Sequence, residues 1–183
     1  TSTTLFRRWV IDNSCGSTAS NSVRITIINA VTLYTTEIPF EFKTYGLFDL
    51  GTRFEVLSSG IITKARLFTS VDEEGSYQVR LWEQTGPDTW SLIYGPFLNW
   101  NLSAGVEGWR EFTFPSPVII ENPGTYMISI TSPSGSFAHS PDFAPLINNE
   151  FINYLGGNLT SDIGTVPNSN IGAGDSYFRD IVF

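Results

Sequence analysis

His139 is the only histidine of the chain, in Ser136-Phe137-Ala138-His139-Ser140-Pro141-Asp142, and any Ser-His-Asp catalysis would need it as the base. Asp142 is too close in sequence to orient it in the usual way, and no G-x-S-x-G turn supplies a nucleophile. The bland reading is a loop histidine that hydrogen-bonds locally. Glycoside hydrolysis needs two carboxyl groups about 5 to 10 Å apart. Glu55, Glu83, Glu111 and Glu121 lie in or beside strand-like runs, but 18 acids make chance pairs easy, and a solvated surface explains them better. The aromatics say more. Trp90, Tyr94, Phe97 and Trp100 cluster beside Asn99, Asn101 and Gly95-Pro96. A flat indole suits the C–H face of a pyranose, and Asn side chains both donate to and accept from hydroxyls. The competing reading puts these rings in the layer between two sheets.

Calcium would want several oxygen ligands from neighbouring loops. Asp72-Glu73-Glu74 reads as a solvated hairpin tip, and Asp142 to Asn149, Asp162 and Asp175 offer oxygens without a D-x-D-x-D-G pattern. A structural calcium therefore has no located site, and no cofactor is expected. A Lys–Asn crosslink would have to use Lys43 or Lys64, and Lys64 falls on the wet side of its strand.

The elements that must carry these residues are strands. Leu47 to Trp82 holds three alternating runs separated by Ser58-Ser59-Gly60 and Asp72-Glu73-Glu74-Gly75, and reads as a β-meander. In Ile61 to Leu67 the pattern places Ile61, Thr63, Ala65 and Leu67 on one side, against Ile62, Lys64 and Arg66. Before the meander, Leu5 to Ile11 and Val23 to Ile28 read as strands, and Pro39 demotes Ile38 to Phe42 to an edge or connection. After it come Trp90 to Tyr94, ended by Gly95-Pro96, then Phe97 to Leu102 as strand or aromatic loop. Trp109 to Phe114, Val118 to Glu121, Thr125 to Thr131 and Tyr177 to Phe183 complete the strands. Ser132 to Gly174 reads mostly as loop, broken by Phe151 to Leu155. With no helix-period segment, the chain is expected to be all-β: an antiparallel sandwich, immunoglobulin-like or jelly-roll-like, with one long C-terminal loop region.

The 183 residues fit a single domain over 1–183, and 41% hydrophobic residues can fill its core. A net charge of −8 with two lysines argues against nucleic acid, whose phosphates need clustered Lys and Arg, and against anionic lipid. No run reaches the length of a membrane span. Cys15 stands alone, which rules out an intrachain disulfide and suits a bacterial protein. The chain opens at Thr1, as a processed product or excised fragment would. Asn101-Leu102-Ser103 and Asn158-Leu159-Thr160 are acceptor sequons, meaningful only in a glycosylating host.

From about Thr44 onward the residues carry a family pattern. Leu50-Gly51-Thr52-Arg53-Phe54, Gly60-Ile61-Ile62, Leu81-Trp82, and Gly108-Trp109 with Phe112, Phe114, Ser116, Pro117 and Val118 occur in order. Gly124-Thr125-Tyr126 with Ser129, Pro133 and Gly135 follows, and the chain ends on Tyr177-Phe178-Arg179-Asp180-Ile181-Val182-Phe183. In this order and spacing the chain resembles the bacterial family catalogued as domain of unknown function 4082. Tyr77 stands where that family often has a histidine, Val79 replaces a small residue, and Glu150 replaces a glycine. The resemblance implies an immunoglobulin-like sandwich appended to secreted multidomain proteins, beside glycan-active enzymes or cell-surface repeats, with no established activity. It divides the chain into residues 1–43, additional N-terminal strands, and a family-like core, 44–183.

These observations give an expectation of a non-catalytic carbohydrate-binding module of a secreted or cell-surface bacterial protein. The alternative is a structural spacer or a protein-interaction and adhesion module. The expected ligand-binding residues are Trp90, Tyr94, Asn99, Trp100, His139, Asp142, Asn148 and Asn149. The Trp90–Trp100 hairpin and the His139–Asn149 loop are expected to form the two walls. The expected partners are a glycan or polysaccharide and neighbouring domains of a larger protein, with no nucleic acid and no membrane insertion.

Overall fold

The computed structural model describes residues 2–6, 9–12, 16–19, 23–27, 30–143, 150–169 and 174–183; in the strands before residue 28, and at Leu98 and Asn99, it describes the backbone alone. The chain forms two compact units, Thr1–Ala30 and Val31–Phe183. In the first, β1 (Ser2–Phe6) pairs antiparallel with β4 (Val23–Ile27), and β2 (Trp9–Asp12) pairs with β3 (Gly16–Ala19). The run read as one strand from Leu5 to Ile11 is thus divided between β1 and β2. Cys15 lies outside the described residues.

The second unit is an all-β sandwich. Its strands are β5 (Glu41–Thr44), β6 (Phe48–Val56), β7 (Gly60–Thr69), β8 (Gly75–Gly86), β9 (Thr89–Leu102), β10 (Gly108–Ile120), β11 (Gly124–Ser132), β12 (Ser136–His139), β13 (Ile152–Thr160) and β14 (Arg179–Val182). One sheet runs β13-β6-β11-β8-β9, the other β10-β7-β14, and β12 pairs with β5. All pairings are antiparallel. Among the described residues there is no helix, hence none long and apolar enough to cross a membrane.

The alternation that marks Leu47 to Trp82 as strands does not make them a meander. β6 and β8 both flank β11, while β7 crosses to the opposite sheet. A period of two shows that a run is extended; it carries nothing about the strand it will pair with. The core between the sheets takes Phe54, Val56, Tyr77, Val79, Leu81, Tyr126, Ile128 and Ile130 from one side and Ile62, Ala65, Leu67, Phe114, Val118, Ile120 and Ile181 from the other. Ile62 is therefore inward and Ile61 is 51% exposed, the reverse of the expected phase. The phase changes where β10 slips register between Thr113 and Val118, around Pro115 and Pro117. Proline has no N–H to give the ladder, so pairing lapses there and resumes on shifted partners.

Two further differences bear on the site. Ser132 to Gly174, read as loop apart from Phe151 to Leu155, contains β12 and the nine-residue β13, which takes in most of that run and forms one edge of the larger sheet. Glu73, read as part of a solvated turn, is 1% exposed and accepts the Ser70 N–H at 3.0 Å and the Tyr77 hydroxyl at 2.9 Å. Burial raises its carboxyl above the usual range, against the pull of the fully buried Arg179 guanidinium.

The compact unit begins upstream of residue 44. Val31 exchanges two backbone hydrogen bonds of 2.9 Å with Phe183, and Leu33 and Tyr34 are core residues. The Leu33 N–H donates to Asp180 Oδ1 at 2.8 Å, and the Arg66 guanidinium meets Asp180 Oδ2 at 3.0 Å. Burial nevertheless pushes the Asp180 carboxyl up to about 7, against Arg66 and the N–H groups of Leu33 and Ile181. An unfolded Asp titrates at about 3.9. The folded state therefore holds the proton more tightly between these values. The stability linked to it is full below the lower value and is lost as pH rises through the upper one. Urea unfolding at a series of pH values should show the native protein losing a few kcal/mol relative to Asp180→Asn between pH 5 and 8. A native protein that gains on the variant over that range would reverse the sign.

Candidate functional site

The larger sheet turns one face to the core and the other outward. Along β6 the core side carries Phe54, while Asp49, Gly51 and Arg53 alternate with it on the outer side. Over this outer face lies the segment that follows β13. Asp49 is fully buried and holds it there. One carboxylate oxygen accepts the Gly164 N–H at 2.8 Å and the Arg80 guanidinium at 3.1 Å; the other accepts the Thr131 hydroxyl at 2.5 Å. Paired backbone hydrogen bonds between Leu159 and Ser169 close the far end of the same segment. Gly51 leaves the space it needs, since a Cβ there would stand 2.9 Å from Met127 Sδ and 3.3 Å from Pro167 Cγ.

Between this segment and the β8–β9 hairpin runs a groove of about 600 Å³. Arg53 and Met127 form its floor, Val166, Pro167 and Asn168 one wall, and Pro87, Asp88, Thr89 and Trp90 the other. Gln84 pairs with Trp90 across the hairpin, and its amide donates to the Pro87 carbonyl at 2.8 Å. Arg53 and Asn158 line the groove, and each also holds a buried polar atom without a partner among the described residues. Asn158 is 5% exposed and its Oδ1 has no hydrogen-bond partner among the described residues; the same holds for the buried Nε of Arg53. A buried acceptor and a buried donor left open each cost about 1–3 kcal/mol unless something outside the protein meets them.

A second cavity, of about 430 Å³, lies against the opposite side of β6, where Leu50, Phe137, Leu159 and Tyr177 form a small separate apolar cluster. Its walls include Tyr45, Phe48, Phe137 and Tyr177, with Lys43, His139 and Asp175 among them. His139 is buried, with Nδ1 2.9 Å from Glu41 Oε1 and Nε2 3.6 Å from Asp175 Oδ1. Burial, together with the Asp175 carboxylate, pushes the Tyr177 hydroxyl well up.

The residues expected to form one site are dispersed. Trp90 is half-buried and lines the groove, whereas His139 lines the second cavity, so the two proposed walls do not face each other. Trp100 is 7% exposed, packed in the core against Tyr77 and Phe112 at centroid distances of 6.0 and 5.6 Å. Tyr94 packs on Phe97 and Phe114, its hydroxyl donating to the Ser116 carbonyl at 2.5 Å. The cause is in the strand itself. β9 does not end at Gly95-Pro96 but continues through it, and its register against β8 shifts repeatedly. Trp82 faces Leu92, yet Leu81 faces Tyr94, and one extra residue moves all later side chains to the other face. Asp142 is exposed, in a left-handed turn (φ 48°), on the wall of neither cavity. Asn148, Asn149 and the Asn99 side chain lie outside the described residues.

The four glutamates do not converge on one site, although two of them share a cleft. Glu111 pairs with Lys64 at 2.6 Å, and Glu55 accepts the Asn153 amide at 3.1 Å. Glu83 and Glu121 both border a shallow cleft of about 210 Å³ beside Tyr126. Among the described residues no cluster of three His, Cys, Asp or Glu side chains is placed to hold a metal. Sequence reasoning missed Arg53, Gln84, Asp88, Asn158 and Asn168. Arg53 alone had a local signal, since alternation with Phe54 already put it on the side away from the core.

Residues 35–178 match the family described as Domain of unknown function (DUF4082), and the chain belongs to that family. No curated protein and no solved structure matches the chain.

The split between the two indoles has a measurable consequence. Trp100→Ala empties a core position and should cost about 3–5 kcal/mol in urea unfolding, whereas Trp90→Ala should change stability by less than about 1 kcal/mol. Equal losses would mean that both rings are structural.

Proposed function

We propose that this family member is a non-catalytic carbohydrate-binding module, and that its ligand lies in the groove between Trp90 and the segment over the larger sheet. The observation that carries this reading is a groove walled by the half-buried indole of Trp90 and lined by the polar side chains of Arg53, Gln84, Asp88, Asn158 and Asn168. A sugar ring brings hydroxyls that both donate and accept, which suits a groove lined by amide and guanidinium side chains. Its C–H face meets the indole of Trp90. Gln84, Asp88 and Asn168 add further polar partners around the groove. A chain charge of −8 disfavours acidic glycans, and the uncharged polar lining of Gln84, Asn158 and Asn168 suits neutral polysaccharides as the ligand class. The reading places the chain in a secreted or cell-surface bacterial protein, beside other domains.

One observation favours a second reading, a protein-contact or spacer module: Ile38, Phe40, Tyr45 and Leu47 stand exposed on either side of β5. The two readings separate on one experiment. Affinity electrophoresis through gels containing neutral polysaccharides should retard the protein. Calorimetry with oligosaccharides of the retarding polymer should then show Trp90→Ala losing about 1–3 kcal/mol of binding with its fold intact. If no polysaccharide retards the protein, or Trp90→Ala binds like the native chain, the carbohydrate reading fails and the contact module takes its place.

A further inference from the structure

The cavity behind β6 is separate from the groove and has a different character. Its rings are set at steep angles: Phe48 to Phe137 at 81° and Phe137 to Tyr177 at 71°, with centroids 6.3 and 5.8 Å apart. Tyr45 stands 6.3 Å from Phe137 and is 72% exposed, at the open side. Rings so arranged are built like the sides of a box.

The polar groups there are unequally occupied. Glu41 is met twice, by Lys43 Nζ at 3.2 Å and His139 Nδ1 at 2.9 Å. Lys43 is thereby engaged as well. Asp175 is 7% exposed and lines the cavity, and among the described residues its carboxylate faces His139 Nε2 at 3.6 Å, beyond hydrogen-bond length. No Lys or Arg pairs with it among the described residues. A buried carboxylate with no Lys or Arg partner among the described residues, on the wall of an aromatic box, is complementary to one class of ligand. Ring faces carry negative quadrupole density, and the carboxylate supplies the full opposing charge. Neutral sugars would gain little from that charge, and anions would be repelled by it.

We propose that this cavity binds a small organic cation with a methylated ammonium head, the head set among Tyr45, Phe48, Phe137 and Tyr177 and opposed by Asp175. The site is independent of the groove, and its test involves no glycan. Choline and its uncharged isostere 3,3-dimethylbutan-1-ol differ by the charge at one atom, so titration of each into the full chain, followed by NMR, isolates the electrostatic part of recognition. Choline should bind roughly tenfold or more tightly than the alcohol, the range a desolvated cation–π site gives. Asp175→Asn should abolish most of that preference while leaving the melting temperature close to native. Tyr45→Ala, at an exposed position where folding is not at risk, should weaken choline severalfold. Phosphatidylcholine vesicles carry the same head; co-sedimentation with them would assign the cation to a membrane source, and binding of choline alone to a free ligand. Equal binding of choline and the alcohol, no binding of either, or an Asp175→Asn variant that keeps the native preference would overturn the proposal.

Discussion

The outer face of this sandwich depends on one buried carboxylate. Asp49 takes hydrogen bonds from Gly164, Arg80 and Thr131, joining β6, β11, β8 and the segment after β13 at a single point. Each charge-assisted bond contributes about 1.5–3 kcal/mol, and a buried charge deprived of its partner costs about 3–5 kcal/mol. The carboxylate therefore fixes geometry more than it adds net stability. Without it Arg80 would be an unpaired buried cation, and the wall formed by Val166, Pro167 and Asn168 would lose its tie to the sheet.

Gly51 is the steric counterpart of that electrostatic tie. The carboxylate at residue 49 pulls the segment down, and the missing side chain at residue 51 lets Pro167 and Met127 close over the strand. Both lie in the stretch Asp49-Leu50-Gly51-Thr52-Arg53-Phe54. The third outward residue of that stretch, Arg53, reaches the groove floor. Its inward neighbours, Leu50 and Phe54, belong to the two apolar clusters on the core side. One strand thus feeds the groove on one face and the core and aromatic cavity on the other. Cavities separated by a sheet can take chemically unlike ligands without competing for the same side chains.

The fold was largely legible because period-two alternation and Gly or Pro turns are local properties, and they placed β6, β8, β11 and β14 close to where they stand. Partnership was not legible. β7 leaves its sequence neighbours for the opposite sheet, and of β13 only the run to Leu155 was legible, since Gly156, Gly157 and a register shift between Tyr154 and Gly156 mask the rest of its pattern. The site suffered from the same cause at finer scale. Trp90 and Trp100 look like one cluster in the sequence, but the bulges in β9 put the first on the outer face and the second in the core. Asn158 became visible only through its surroundings, since nothing local shows that a sequon asparagine will be buried with its oxygen unspent.

Amide hydrogen exchange at Gly164 tests most directly whether Asp49 builds the groove. In the native protein its N–H should be protected to nearly the same degree as the amides of β11. In Asp49→Asn, exchange across residues 161–169 should accelerate by at least tenfold while 124–132 stays slow. A native Gly164 that exchanges as fast as an open turn, or an Asn variant indistinguishable from the native chain in that segment, would contradict the account.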